Sequence, residues 1–235
     1  MAAAEPLIFR YWFTWENGRE EQVEVRLDPK SLNLIQPKPE SLPEWTRLEY
    51  QKCPNCPLSS AQAPHCPAAV SLIDVVKRFG KNVSHERVVV RVEAPERQYA
   101  KPVPLQEGVS ALIGIYMVTS GCPVMARLKP MVRYHLPFAN MEETRYRALS
   151  MYLLAQYLLA KQGRVADWEA KDFPRMYAEI QKVNAHFFQR LAKSDVEDAS
   201  LNAIVRLDAM ADSISFTINQ QILDELVELF QAYLR

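Results

Sequence analysis

The chain predicts an α+β fold: a small, mostly antiparallel sheet opened by an N-terminal β-hairpin, packed on a C-terminal helical layer. Three observations carry this. Apolar and polar residues alternate with period two over Leu7–Trp15 and again over 22–27, on either side of Asn17-Gly18. After Pro104 the apolar period becomes helical and stays so. A chain of 235 residues can also bury a sizeable core without covalent staples, so its four cysteines are not needed for folding.

Each element follows in order. Asn17-Gly18 tolerates positive φ and suits a two-residue hairpin turn. DPKSLNLI (28–35) reads as a turn into a third short strand, QPKPESLPEW (36–45) as an ordered connection, and TRLEYQ (46–51) as a further strand leading to Cys53. AAVSLIDVVKRFG (68–80) places Val70, Ile73, Val75 and Val76 at helical spacing, with Gly80 as the stop. RVVVRVEAPERQYAKPV (87–103) reads as two strands joined at Ala94-Pro95. Helices are expected at 105–119, 124–134, 141–162, 172–193 and 199–234, with Gly163 and Pro174 marking ends or starts. The expected division is therefore a β-rich half, 1–104, with three cysteines, and a helical half, 105–235, with the fourth. No flexible linker separates them, so they are expected to share one core.

Composition narrows the function classes. Twenty-eight basic residues balance 28 acidic ones, so no global field draws the chain to nucleic acid or to an anionic membrane. The N-terminal stretch MAAAEPLIFRYWFTWENG lacks a basic segment followed by an apolar run, which makes the cytoplasm the expected compartment. The uncharged stretch 109–126 contains Ser110, Thr119, Ser120 and Pro123 and reads as a core helix followed by a turn, not a membrane span. No G-x-S-x-G, H-E-x-x-H, P-loop or G-x-G-x-x-G motif is present. Asp195, Glu197, Asp198 and Asp208 read as solvated surface.

The chemistry-bearing feature is CPNCPLSSAQAPHCP (53–67), followed by Gly121-Cys122-Pro123. The spacing is C-x2-C-x9-C-x55-C, and in a reducing compartment such thiols are read as metal ligands before disulfides. A C-x2-C pair lets one tight turn offer two sulfurs to one centre. Each cysteine precedes a proline, which holds it extended and stiffens the loop, so less ordering entropy is lost on binding. Other readings compete with this one. Cys122 lies beside Val118, Val124 and Met125, where packing alone would account for it; Cys53 and Cys56 have the spacing of a redox pair; and three cysteines with His65 would also make a ligand set. Haem c attachment requires histidine after Cys56, where Pro57 stands.

Cys53, Cys56, Cys66 and Cys122 are thus the expected metal ligands. Structural zinc usually has two facing C-x2-C knuckles, and only one is present, whereas iron–sulfur clusters accept irregular spacing and Cys-Pro ligands. A [4Fe–4S] cluster used in electron transfer or redox sensing, with a protein redox or assembly partner, is the expectation. Zinc in a non-catalytic interaction or assembly module is the alternative. The order of hairpin, CPNCPL, HCP, GCP and then MVRYHLPFANMEETRYRALSMYLLAQYL resembles an uncharacterised bacterial family whose members look alike over nearly the whole chain. That resemblance brings no known activity.

A second constellation comprises Arg127, Lys129, Arg133, Tyr134 and His135, then Asn140, Glu142 and Glu143. Arg133 and His135 are candidate binding residues for an anionic cofactor or ligand. They also stand where cations complement a helix C-terminus, and Asn140 with Glu143 has the form of a helix cap and its partner. The final helix carries Leu201, Ile204, Val205, Ala209, Ile214, Phe216, Ile218, Ile222, Leu226 and Phe230 on more than one narrow stripe. It is expected to pack against 141–162 and to offer any leftover apolar face to a homodimer.

Overall fold

A computed structural model describes residues 5–194, 198–215 and 226–235. Four strands, β1 (Leu7–Trp15), β2 (Glu20–Leu27), β3 (Arg87–Ala94) and β4 (Arg97–Pro104), form one sheet in the order β2-β1-β3-β4 with every neighbouring pair antiparallel. The opening hairpin forms, but its turn is not the two-residue one expected. Gly18 N–H donates to Trp15 O at 3.0 Å and Trp15 N–H to Arg19 O at 2.9 Å. The loop is therefore three residues, ending on Gly18, which alone of the three is left-handed (φ 81°). β2 and β4 are the edge strands; Pro102 of β4, which has no N–H to donate, sits opposite Val89 without breaking an interior ladder.

Period-two alternation turns one face of the sheet inward. Phe9, Tyr11 and Phe13 of β1, Val23 and Val25 of β2, and Val88, Val90 and Val92 of β3 are buried. Each large side chain so covered contributes on the order of 1.5–3 kcal/mol. The cover is α3 (Leu105–Thr119), buried along almost its whole length because it lies between the sheet and another helix, α7 (Asp198–Ser215). Among the described residues no helix is long and apolar enough to cross a membrane. The close approach of α3 to the sheet depends on Gly108: a Cβ there would stand 2.7 Å from Val90 Cγ2 and 2.8 Å from Phe13 Cε1, both fully buried. Gly108→Ala is expected to destabilise the fold by ~1–3 kcal/mol through overpacking, exceeding the ~1 kcal/mol that alanine gains in helix propensity. Urea unfolding checks this; an unchanged or raised midpoint would refute it.

Further helices among the described residues are α1 (Pro67–Ser71), α2 (Ile73–Phe79), α4 (Lys129–Arg133), α5 (Met141–Lys161), α6 (Phe173–Ala192) and, near the C-terminus, α8 (Gln231–Leu234). The single helix expected over 68–80 is broken at Leu72 and stops at Gly80 as anticipated. The third strand at 28–35 shrinks to one bridge, Leu27 with Leu34, and TRLEYQ is not a strand at all. A 3-10 turn, Glu44–Thr46, replaces its start, and only Arg47 bridges, to His65. α7 packs chiefly on α6 and α3 and touches α5 less extensively, whereas the expected packing on 141–162 is made further along the chain, where Phe230 stacks on Tyr146 with ring centroids 6.5 Å apart. The apolar positions Phe216, Ile218 and Ile222, on which the homodimer expectation partly rests, lie outside the described residues, as do Asp195 and Glu197. Asp208 is not simply solvated: it is half-buried, with its pKa raised by burial and then by Asp212. One hydrophobic core contains Phe9, Phe13 and Val90 of the sheet together with Leu112, Phe173 and Phe187 of the helices.

Candidate metal centre

The cysteine loop is built against α6. That helix turns a stripe of Phe173, Tyr177, Ile180, Asn184, Phe187 and Leu191 into the core, and Arg190 lies on the same stripe, 1% exposed. Its guanidinium donates to four backbone carbonyls: Trp45 O at 2.6 Å, Arg47 O at 2.7 Å, and Leu48 O and Gln51 O at 3.2 Å each. These carbonyls belong to the segment that leads into Cys53. Gln51 is held there in the left-handed region (φ 55°), a conformation a non-glycine residue adopts only when its surroundings impose it. The same segment grips the far end of the loop, since Leu48 N–H donates to Pro64 O at 2.9 Å and Cys66 N–H to Thr46 O at 2.7 Å. α6 also fastens the tip: Asn55 Nδ2 donates to Glu179 O at 2.9 Å and to Glu179 Oε2 at 2.8 Å. One arginine on a helix more than a hundred residues downstream thus ties the incoming arm of the loop, to which the outgoing arm is bonded in turn.

Within this frame, Cys53-Pro54-Asn55-Cys56 is a tight turn, closed by Cys56 N–H to Cys53 O at 3.0 Å. Cys66 is the N-cap of α1, so the helix in this region begins beside the third cysteine, with Pro67 at its first position. Cys122 follows α3 through Gly121 (φ 96°) and lies in the core, 9% exposed. A Cβ added at Gly121 would stand 3.9 Å from Pro67 Cβ, so the turn carrying Cys122 lies against the residue that follows Cys66. Cys53 and Cys66 pack on the same core.

The electrostatics link all four thiols. Burial pushes the Cys53 thiol up to about 12, reinforced by Cys66, Cys122 and Cys56 and opposed by Arg190. The Cys122 thiol is likewise raised by burial; the Met125 and Val124 backbone N–H groups pull it down, and Cys66 and Cys56 push it up. Arg190 is lowered by burial and supported by Cys66, Cys53, Cys56 and Tyr50. Cys53 and Cys122 are therefore protonated and unreactive at neutral pH unless a cation replaces the proton. Among the described residues, no group of three or more His, Cys, Asp or Glu side chains is arranged so that it could hold a metal ion. What the thiols share is proximity and polarity: they lie within electrostatic reach of one another, two amide N–H groups favour the Cys122 thiolate, and a buried cation, Arg190, stands beside Cys53, Cys56 and Cys66. His65 has one ring nitrogen engaged, Nδ1 lying 2.8 Å from Thr46 Oγ1. Because that hydroxyl donates to Pro43 O at 2.6 Å, the network assigns the proton to Nδ1 and leaves Nε2 as the only lone pair.

The basic segment after Cys122 divides. Lys129 Nζ donates to Ser31 O and Asn33 Oδ1, a tie to the loop after β2. Asn140 and Glu143 form a reciprocal capping box on α5. Arg133 is exposed at the end of α4. His135 is not a helix-end cation. Burial, then the charge of Arg147, lowers its pKa to about 3, and its Nε2 lies 2.5 Å from the hydroxyl of Tyr11, itself 0% exposed in the sheet. Burial and then Tyr116 hold the Tyr11 pKa well above its usual value, so Tyr11 keeps its proton and donates it to His135.

Sequence reasoning missed Arg190 and Tyr11. Arg190 had a signal, a charged residue on the apolar stripe of an amphipathic helix; Tyr11 had none beyond its inward place in β1. No curated protein and no solved structure matches the chain significantly. A family model described as a domain of unknown function, DUF6901, matches residues 7–231, which span the sheet, all four cysteines and the helices through α7, and the chain therefore belongs to the DUF6901 family.

Proposed function

We propose that Cys53, Cys56, Cys66 and Cys122 hold a [4Fe–4S] cluster in a cytoplasmic protein that serves electron transfer or redox sensing through a protein partner. The observation that carries this reading is Arg190. It is a buried guanidinium without a carboxylate partner among the described residues, and Cys66, Cys53 and Cys56, together with Tyr50, favour its charge. A buried cation of this kind is expensive unless an anion compensates it, and metal-bound thiolates supply that negative charge. When bound, the cluster contributes a one-electron couple; the chain holds the ligands and tunes the surroundings. The prolines limit loop freedom, the Met125 and Val124 amides favour the thiolate of Cys122, and the apolar packing of Cys53, Cys66 and Cys122 keeps water away. Structural zinc in an interaction or assembly module is the second reading, favoured by the tight Cys53–Cys56 turn that a zinc knuckle would also use.

Anaerobic purification followed by iron, sulfide and zinc analysis tests the proposal. About four iron with matching sulfide supports the cluster, and one zinc supports the structural site. Cys122→Ser is expected to lower both metal content and melting temperature, because it removes the ligand that joins the helical half to the loop. Wild-type protein without either metal, or Cys122→Ser protein with full metal content, would overturn the four-cysteine reading.

A further inference from the structure

A cavity of about 300 Å³ opens where the start of β1, the β3–β4 turn and the segment after α4 meet, and no cysteine lines it. Its polar lining is dominated by Arg97, Arg133 and Arg147, with His135 beside them and Phe9 and Tyr99 as aromatic wall. Arg147, half-buried, is fixed in place: its Nη2 donates to Met131 O at 3.0 Å and Tyr134 O at 2.8 Å. Among the described residues, its Nη1 and Nε make no hydrogen bond. None of the three arginines is ion-paired among the described residues, although 13 other ion pairs form; Glu96 is the one carboxylate on the wall. His135 adds a donor. With Nε2 accepting from Tyr11, its proton sits on Nδ1, which no group among the described residues engages. The Phe9 ring, 5.4 Å from the His135 ring and edge-on to it, sets the imidazole's orientation from the sheet side.

Three guanidinium groups against one carboxylate, at the mouth of an apolar recess near the lower end of the size range of small-molecule sites, form a binding site with a definite chemistry. We propose that this cavity binds a small organic oxyanion, a phosphate or carboxylate carried on a compact aromatic body, with the anion held by Arg97, Arg133 and Arg147 and the body against Phe9 and Tyr99. Phosphate and carboxylate share the planar or near-planar oxygen pairs that a guanidinium grips in a bidentate manner, so either head group satisfies the site. The proposal is independent of the cysteine centre.

Isothermal titration calorimetry of the full chain with phenyl phosphate, benzoate, inorganic phosphate and phenol tests it. At least one of the two aromatic anions is expected to bind at least tenfold more tightly than both inorganic phosphate and neutral phenol, and whichever binds identifies the head group. The double substitution Arg97→Gln/Arg133→Gln, at exposed positions, is expected to weaken that binding at least tenfold while leaving the ligand-free melting temperature within a degree or two. Arg147→Met is expected to abolish binding; because it also frees two carbonyls, its folding is read separately by circular dichroism. Failure of both aromatic anions to bind, equal binding of phenol, or wild-type affinity in the double variant would overturn the proposal.

Discussion

Arg190→Met is expected to destabilise the protein by ~3–5 kcal/mol, because four charge-assisted donations to Trp45, Arg47, Leu48 and Gln51 disappear together and leave the buried Leu48 carbonyl and three partly buried ones without their donor. The consequence extends beyond stability. Those carbonyls shape the strand of chain entering Cys53, and the bridge from Arg47 to His65 couples them to Cys66, so the loop should lose its set conformation. Denaturant unfolding measures the first effect, and limited proteolysis, with cleavage mapped between residues 45 and 66, the second. Arg190→Lys separates charge from geometry: a lysine keeps the cation but has three donors on one nitrogen and cannot reach four divergent carbonyls. It should keep a substantial share of the metal content of the wild type while losing much of the stability. A Met variant as stable as wild type would show that the carbonyls find other partners, and one that retains full metal content would remove Arg190 as the counter-charge of the thiolates.

Acidification is expected to weaken the fold well above the usual carboxylate range. His135 has its pKa lowered from 6.5 to about 3 by burial and by Arg147, so as pH falls through 6.5 the unfolded chain takes up this proton while the folded chain does not. Stability is therefore fully present above the unfolded value and is lost as pH drops from about 6.5 toward 3, with a slope approaching ~1.4 kcal/mol per pH unit. Between pH 6.5 and 4.5 the loss from this residue amounts to ~2 kcal/mol. Below that window Asp28, Asp167, Glu49 and Glu179 add to it, because hydrogen bonds lower their pKa values and the stability they bring goes as they protonate. His135→Gln offers Tyr11 an uncharged acceptor. It should flatten the stability profile between pH 6.5 and 4.5 at the cost of some stability at pH 7.5. Parallel profiles for wild type and variant, measured by urea unfolding across that range, would sink the assignment of this window to His135.

What could be read directly from the residues follows from periodicity, which is local. Alternation over Leu7–Trp15 required one buried sheet face, and Ala94-Pro95 required a turn between β3 and β4. The uncharged run from Val109 required a core helix followed by a turn, and Asn140 with Glu143 announced the start of α5. The four cysteines were legible for the same reason: spacing and neighbouring prolines are properties of the chain itself. TRLEYQ failed because a short alternating run becomes a strand only if a neighbouring strand accepts its hydrogen bonds. Here the carbonyls of Arg47 and Leu48 are taken by Arg190, and pairing ends after one bridge. His135 was likewise read from its place after a basic run, whereas its charge state is set by burial and by Arg147, and its tautomer by Tyr11, on a strand 124 residues earlier. Charge state and loop shape depend on which groups burial leaves to face one another across the core, and that is decided only when the sheet and the helices close around them.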